Sequence, residues 1–137
     1  MTPRTVFITG ASRGIGAALA RGLAADGHRV ALAARDAAAL AALAAETGGL
    51  AVPLDVTDAA ALPAALATAE AALGPVEVLI NNAGVSGSAP LARTDDALWA
   101  RTMAVNLEAP FRLCRAAVPG MVARGFGRVV FIASNAG

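Results

Sequence analysis

The stretch Thr9-Gly-Ala-Ser-Arg-Gly-Ile-Gly16 decides the fold. It follows a short apolar run, Thr5-Val-Phe-Ile-Thr9, and leads into a segment from Ile15 to Ala25 whose apolar residues recur at helical spacing. Strand, glycine-rich turn and helix in that order make a βα unit. Gly10 permits a sharp turn, Gly14 lets the backbone approach a pyrophosphate, and Gly16 lets the helix pack tightly on the sheet. Free N–H groups at the helix start then face the phosphates. The spacing is G-x-x-x-G-x-G rather than the commoner G-x-G-x-x-G, and the missing lysine excludes a P-loop.

The same alternation continues along the chain. Gly27 stops the first helix, and His28-Arg-Val-Ala-Leu-Ala-Ala34 reads as a second strand, with His28 at the surface and uninvolved. Asp36 caps an Ala/Leu-rich helix that ends near Gly48-Gly49. Leu50-Ala-Val-Pro-Leu54 is a third strand, and its proline, which cannot donate to a ladder, argues for a sheet edge. Asp58 opens another helix that stops at Gly74-Pro75, and Val76-Glu-Val-Leu-Ile80 is a fourth strand followed by Asn81-Asn-Ala-Gly84. A long helical stretch from Asp95 to Arg124 precedes a last, buried strand, Arg128 to Ile132, which delivers Ser134 to the rim of the sheet. Alternating strands and helices predict a doubly wound parallel α/β sheet, Rossmann-like, with five strands in one domain spanning residues 1–137.

Composition narrows the function. Alanine supplies much of a 57% hydrophobic content while aromatics make up 4%, which suits helix-on-sheet packing. No apolar run approaches the length of a bilayer span, and Met1-Thr-Pro-Arg-Thr moves straight into a strand without a signal-peptide h-region. A net charge of +1 gives no electrostatic reason to expect nucleic acid as a partner. The lone Cys114 reads as a core residue, Trp99 as core or interface, and the chain as cytoplasmic. All eleven basic Lys/Arg residues are arginine and there is no tyrosine, so a mechanism needing a lysine ammonium or a phenol cannot be completed within these residues.

Thr9-Gly-x-x-x-Gly-x-Gly16, Asp55 after the third strand, Asn81-Asn-Ala-Gly84 after the fourth, Asn106 in the long helix and Ser134 after the fifth resemble the short-chain dehydrogenases/reductases. The flavour is closest to the 3-oxoacyl-[acyl-carrier-protein] reductases, and the match runs through the whole chain in order. The resemblance implies a nicotinamide dinucleotide held by the glycine loop, with Ser12, Arg13 and Ile15 alongside Gly10, Gly14 and Gly16. It implies further contacts from Asp55-Val56 and from Asn82-Ala83-Gly84. Asp55 can cap a turn before Thr57 or hydrogen-bond the adenine amino group, and its place at the carboxyl end of a strand favours the base. Rossmann enzymes that take NAD set an acid at the end of the second strand. Here that end reads Ala33-Ala34-Arg35, so Arg35 and Arg13 point to the 2′-phosphate of NADP(H), with Asp36 as a helix cap.

The family moves hydride between the nicotinamide and a small carbonyl or alcohol substrate. Its serine, here Ser134, hydrogen-bonds the substrate oxygen, and a tyrosine paired with a lysine transfers the proton. That Tyr-x-x-x-Lys has no counterpart in this sequence. The stretch therefore reads as part of a reductase, inactive alone and homo-oligomeric at full length, or else as a non-catalytic dinucleotide-binding module or partner of a fuller homologue. Pro110 lacks the N–H that a regular helix would give the Asn106 carbonyl, which predicts that the long helix opens there. In the family that carbonyl holds a water on the proton relay.

Overall fold

The computed structural model describes residues 1–134. Strands β1 (Thr5–Thr9), β2 (Arg29–Ala34), β3 (Leu50–Pro53), β4 (Val78–Asn81) and β5 (Arg128–Phe131) pair in parallel in the order β3-β2-β1-β4-β5. Helices α1 (Gly14–Ala25), α2 (Ala37–Thr47), α3 (Ala61–Leu73), α4 (Asp96–Met103) and α5 (Ala109–Arg124) connect them. The Rossmann-like architecture expected from the alternation is present.

Two apolar layers follow from the period of two along each strand. Phe7, Ala31, Ala33, Val52 and Leu79 meet Leu62 and Leu66 of α3 and Leu113 and Met121 of α5 on one face. Val6, Ile8, Val30, Leu32 and Ile80 meet Ala17 and Ala20 of α1 and Leu40 and Leu43 of α2 on the other. The strand order reverses beside β1, because β2 lies on one flank and β4 on the other. The loops after β1 and β4 diverge there and leave a crevice at the carboxyl ends of the strands.

Local chemistry sets the boundaries. Gly27 and Gly48 take φ of +86° and +69° and end α1 and α2, while the Asp36 carboxylate accepts the Ala39 N–H at 2.9 Å and caps α2. β3 is the outer strand, which is where Pro53 is tolerated.

Several expectations need correction. His28 lies before β2, its ring nitrogen Nδ1 accepting the Arg4 N–H, and β4 begins at Val78 rather than Val76. Asp58 does not open α3, which starts at Ala61. Its carboxylate and carbonyl hold a turn through the Ala61 N–H instead. The long helix is not continuous. A π turn over Ala104–Glu108, in which the Ala109 N–H donates to the Ala104 carbonyl, separates α4 from α5, and Pro110 sits in the first turn of α5. The opening predicted from Pro110 is thus a widened turn, since skipping to a bond five residues back avoids the missing N–H.

The last strand is not buried. Val130, Phe131 and Ile132 are exposed because β5, among the described residues, is an edge paired with β4 alone. Trp99 is 62% exposed on α4, which removes the core reading. Cys114 is half-buried against the α3/α5 layer, and burial raises its thiol pKa against a weak contact from Asn81.

Two glycines of α1 separate close approach from mere flexibility. A Cβ on Gly16 would stand 2.2 Å from the Gly10 carbonyl oxygen, whereas one on Gly22 would meet nothing within 4 Å. Gly16→Ala is therefore expected to destabilise the fold by roughly 1–3 kcal/mol. Gly22→Ala should stabilise it by about 0.5–1 kcal/mol. Urea unfolding of the two variants checks both signs.

Candidate functional site

The crevice at the switch point is an open cleft of about 680 Å³. The glycine loop forms its floor. Gly10 and Gly14 turn with φ of +62° and +55°, and above Gly14 there is open space. Arg13 stands at the N-cap of α1 without a side-chain cap, so the first N–H groups of that helix keep their donor capacity toward the cleft. Ser12, Arg13 and Ile15 line the wall beside them, and Ile15 is 60% exposed although apolar.

A second layer of bonds fixes the floor. The buried Thr9 hydroxyl accepts the N–H groups of both Asn82 and Ala83 at 3.0 Å. The Asn82 amide in turn donates to the carbonyls of Thr9 and Gly10 at 3.2 and 3.1 Å. Strands β1 and β4 are thereby stapled to each other one residue above the last ladder bond. The side chain of Asn82, expected to contact a cofactor, lines the cleft but spends its donors on this staple.

Asp55 and Val56 close the far end with Leu54 and Thr57. One carboxylate oxygen of Asp55 accepts both the Thr57 N–H at 2.9 Å and the Thr57 hydroxyl at 2.7 Å. Those two bonds hold its pKa below the usual carboxylate range, with Arg35 and Arg101 adding to the effect. Asp55 does cap the turn before Thr57, and its second oxygen retains acceptor capacity. Arg35, at the end of β2, lines the same wall. Asp36 beside it is committed to capping α2.

The remaining expected residues lie just outside. Gly16 sits beneath the loop rather than in the wall. Asn106, in the π turn, grips the Val85 backbone with both ends of its amide, donating to the carbonyl at 2.8 Å and accepting the N–H at 2.9 Å. Val85 lines the cleft, so Asn106 shapes the lip that follows Ala83 and Gly84. Ser134 lies exposed beyond β5, and the turn-forming residues after it fall outside the described ones. Thr9, Thr57, Val85, Arg101 and Val105 were not singled out from sequence. Thr9 stood inside the quoted motif, but the partners that make its hydroxyl matter are more than 70 residues away.

These features converge on one ligand class: an N-terminal helix end, a loop open above a left-handed glycine, and arginines at a strand order reversal fit a dinucleotide. A family model described as short chain dehydrogenase matches residues 4–137. The chain belongs to the short-chain dehydrogenase family. Among its relatives, galactitol 2-dehydrogenase (L-tagatose-forming) of Cereibacter sphaeroides is 43% identical, matching 100% of this chain and 58% of its own length. The 3-oxoacyl-[acyl-carrier-protein] reductase MabA of Mycobacterium bovis is 41% identical, over 98% of this chain and 52% of its own. The crystal structure of a metagenomic short-chain oxidoreductase in complex with NADP superposes with a TM-score of 0.89 at 42% identity, covering 97% of this chain and 62% of that one. The chain thus spans between half and two thirds of the length of these relatives.

Two outcomes are expected. Thr9→Val keeps the shape of the side chain but strands two buried N–H groups, which costs roughly 1–3 kcal/mol in a denaturant titration. The lowered pKa of Asp55 makes its bonds to Thr57 fully effective above the free carboxylate value of about 3.9, and they are lost as pH falls through the folded value. A pH titration followed at the Thr57 amide by NMR should accordingly show a midpoint below that of a free aspartate.

Proposed function

We propose that this chain binds NADP(H), and that the protein it builds transfers hydride between that cofactor and a small carbonyl or alcohol substrate. The observation that carries the cofactor choice is the pairing state of the cleft's side chains. Arg13 and Arg35 line it without a hydrogen bond or ion pair among the described residues. The acid nearest the end of β2, Asp36, gives one carboxylate oxygen to the Ala39 N–H as the cap of α2. Two unpaired guanidinium forks beside a nucleotide cleft suit a 2′-phosphate. The metagenomic relative bound to NADP supports the same reading.

The cofactor, when bound, supplies or accepts the hydride. The chain's own residues bind and orient cofactor and substrate. The α1 N-terminus holds the pyrophosphate, Asp55 with its second oxygen holds the adenine amino group, and Val56, Ala83 and Gly84 enclose the adenosine and its ribose. Ser134 donates to the substrate oxygen and polarises the carbonyl. Asn106 keeps the lip at Val85 in place with its side chain, while its carbonyl, in the π turn, holds a water of the proton relay. The tyrosine and lysine that complete proton transfer in the family are not among these residues. The full-length protein is a homo-oligomer in this reading, consistent with apolar Trp99, Phe111 and Val122 standing exposed on α4 and α5.

Isothermal titration tests the cofactor choice. The chain should bind NADPH more tightly than NADH, and Arg35→Ala should shrink the difference by roughly 1–3 kcal/mol. A preference unchanged when Arg13 and Arg35 are both replaced by alanine would refute it. Lacking a phenol and an ammonium, the 137-residue chain should reduce no ketone above background while still binding the cofactor. Turnover abolished by Ser134→Ala would contradict the mechanism.

A further inference from the structure

A third arginine lines the cleft, from a helix rather than from the glycine loop or a strand end. Arg101 stands in the last turn of α4 and lines the cleft together with Val105, one turn further on. Positions four apart share a helix face, so the pair offers one charged and one apolar group to the cleft that Leu54, Asp55, Val56 and Thr57 also line, and the Arg101 charge acts on the Asp55 carboxylate. Arg101 is exposed, and its guanidinium makes no hydrogen bond or ion pair among the described residues. Away from the cleft, Arg4, Arg21 and Arg112 are committed to ion pairs with Glu77, Glu46 and Glu108.

The geometry points to Arg101 as a further cofactor-positioning residue, which closes over the adenosine end of the dinucleotide from the helix side. The inference rests on the dinucleotide reading above and adds to it a residue outside the glycine loop and the strand ends. The two sides divide the work by chemistry. Arg13 and Arg35 flank the glycine loop and the end of β2, where a 2′-phosphate belongs. Arg101, whose charge acts on Asp55, and Val105 line the cleft with Asp55 and Val56, where the base belongs. A planar, weakly hydrated guanidinium suits an aromatic base, because it can lie against the ring while keeping its charge near the Asp55 carboxylate. Val105 supplies the apolar remainder of that wall. Since the base is common to both nicotinamide cofactors, Arg101 contributes affinity without choosing between them.

The test is calorimetric binding of NADPH, NADH and 5′-AMP to the 137-residue chain and to its Arg101→Met and Arg101→Gln variants. The urea midpoint of each variant is measured alongside, since a merely structural role would move it. Both variants are expected to keep that midpoint and to bind all three ligands about five-fold more weakly, leaving the NADPH-to-NADH ratio unchanged. Unaltered affinities would overturn the proposal, as would a loss confined to NADPH, which would assign Arg101 to the phosphate. A parent chain that bound none of the three ligands would overturn the dinucleotide reading itself, an outcome distinct from tight binding indifferent to Arg101.

Discussion

Between the loop after β1 and the loop after β4 there is no room for a methyl group. The Gly16 Cα faces the Gly10 carbonyl and the Asn82 amide so closely that an added Cβ would overlap both. That proximity lets Thr9 take two N–H groups from the other loop and lets Asn82 return two bonds to Thr9 and Gly10. Without it the first turn of α1 would lift away from the sheet, and its N–H groups would no longer aim into the cleft. The floor of the site is therefore a packing consequence. Glycine appears where two backbones must touch, and the hydroxyl and amide beside it satisfy polar groups that the contact buries.

The two ends of the sheet use charge in opposite ways. At the amino ends of the strands the arginines are engaged with protein partners. Arg4 bonds Glu77 at 2.6 Å and stacks on the Phe126 ring at 3.8 Å, and Arg29 donates to the Thr5 hydroxyl and the Leu73 carbonyl. At the carboxyl ends Arg13, Arg35 and Arg101 surround a cleft whose two acids, Asp36 and Asp55, already serve backbone and hydroxyl donors. Surface ion pairs contribute little to stability, so leaving cations unpaired costs little, whereas it keeps a positive field available for a ligand carrying phosphates. The asymmetry marks the functional end without reference to any relative.

Much of this was legible in the sequence because it depends on local rules. Strand and helix periodicity, Gly27 and Gly48 as helix stops, Asp36 as a cap and Pro53 on an edge strand are each decided within a few residues. The glycine loop and Asp55 were legible because backbone approach and strand ends leave a residue-type signature. What escaped depends on neighbours distant in sequence. Four apolar residues in a row predicted burial for β5, yet burial requires cover from a neighbour, and among the described residues β5 pairs with β4 alone. The partners of Thr9 lie in the loop after β4, and the side on which Arg101 emerges and the exposure of Trp99 on α4, which buries none of its residues, likewise depend on elements distant in sequence that no local pattern encodes.

The π turn ties the two halves of the long helical stretch to different tasks. Arg101 and Val105 must face the cleft, while Ala109, Leu113 and Ala117 must face the core beneath it. In a regular helix each residue turns the face by about 100°, so eight steps from Arg101 to Ala109 would carry it about 80° off line. Absorbing one extra residue in the widened turn takes about 100° back and leaves the two within about 20°. Pro110, which can offer no N–H to the preceding turn, removes the alternative of a regular helix through this point. Asn106 then uses the exposed side of the widened turn to hold Val85 by its backbone. A single local departure from α geometry thus keeps a cleft-lining face and a core face in register along one rod, and anchors the lip of the cleft to it.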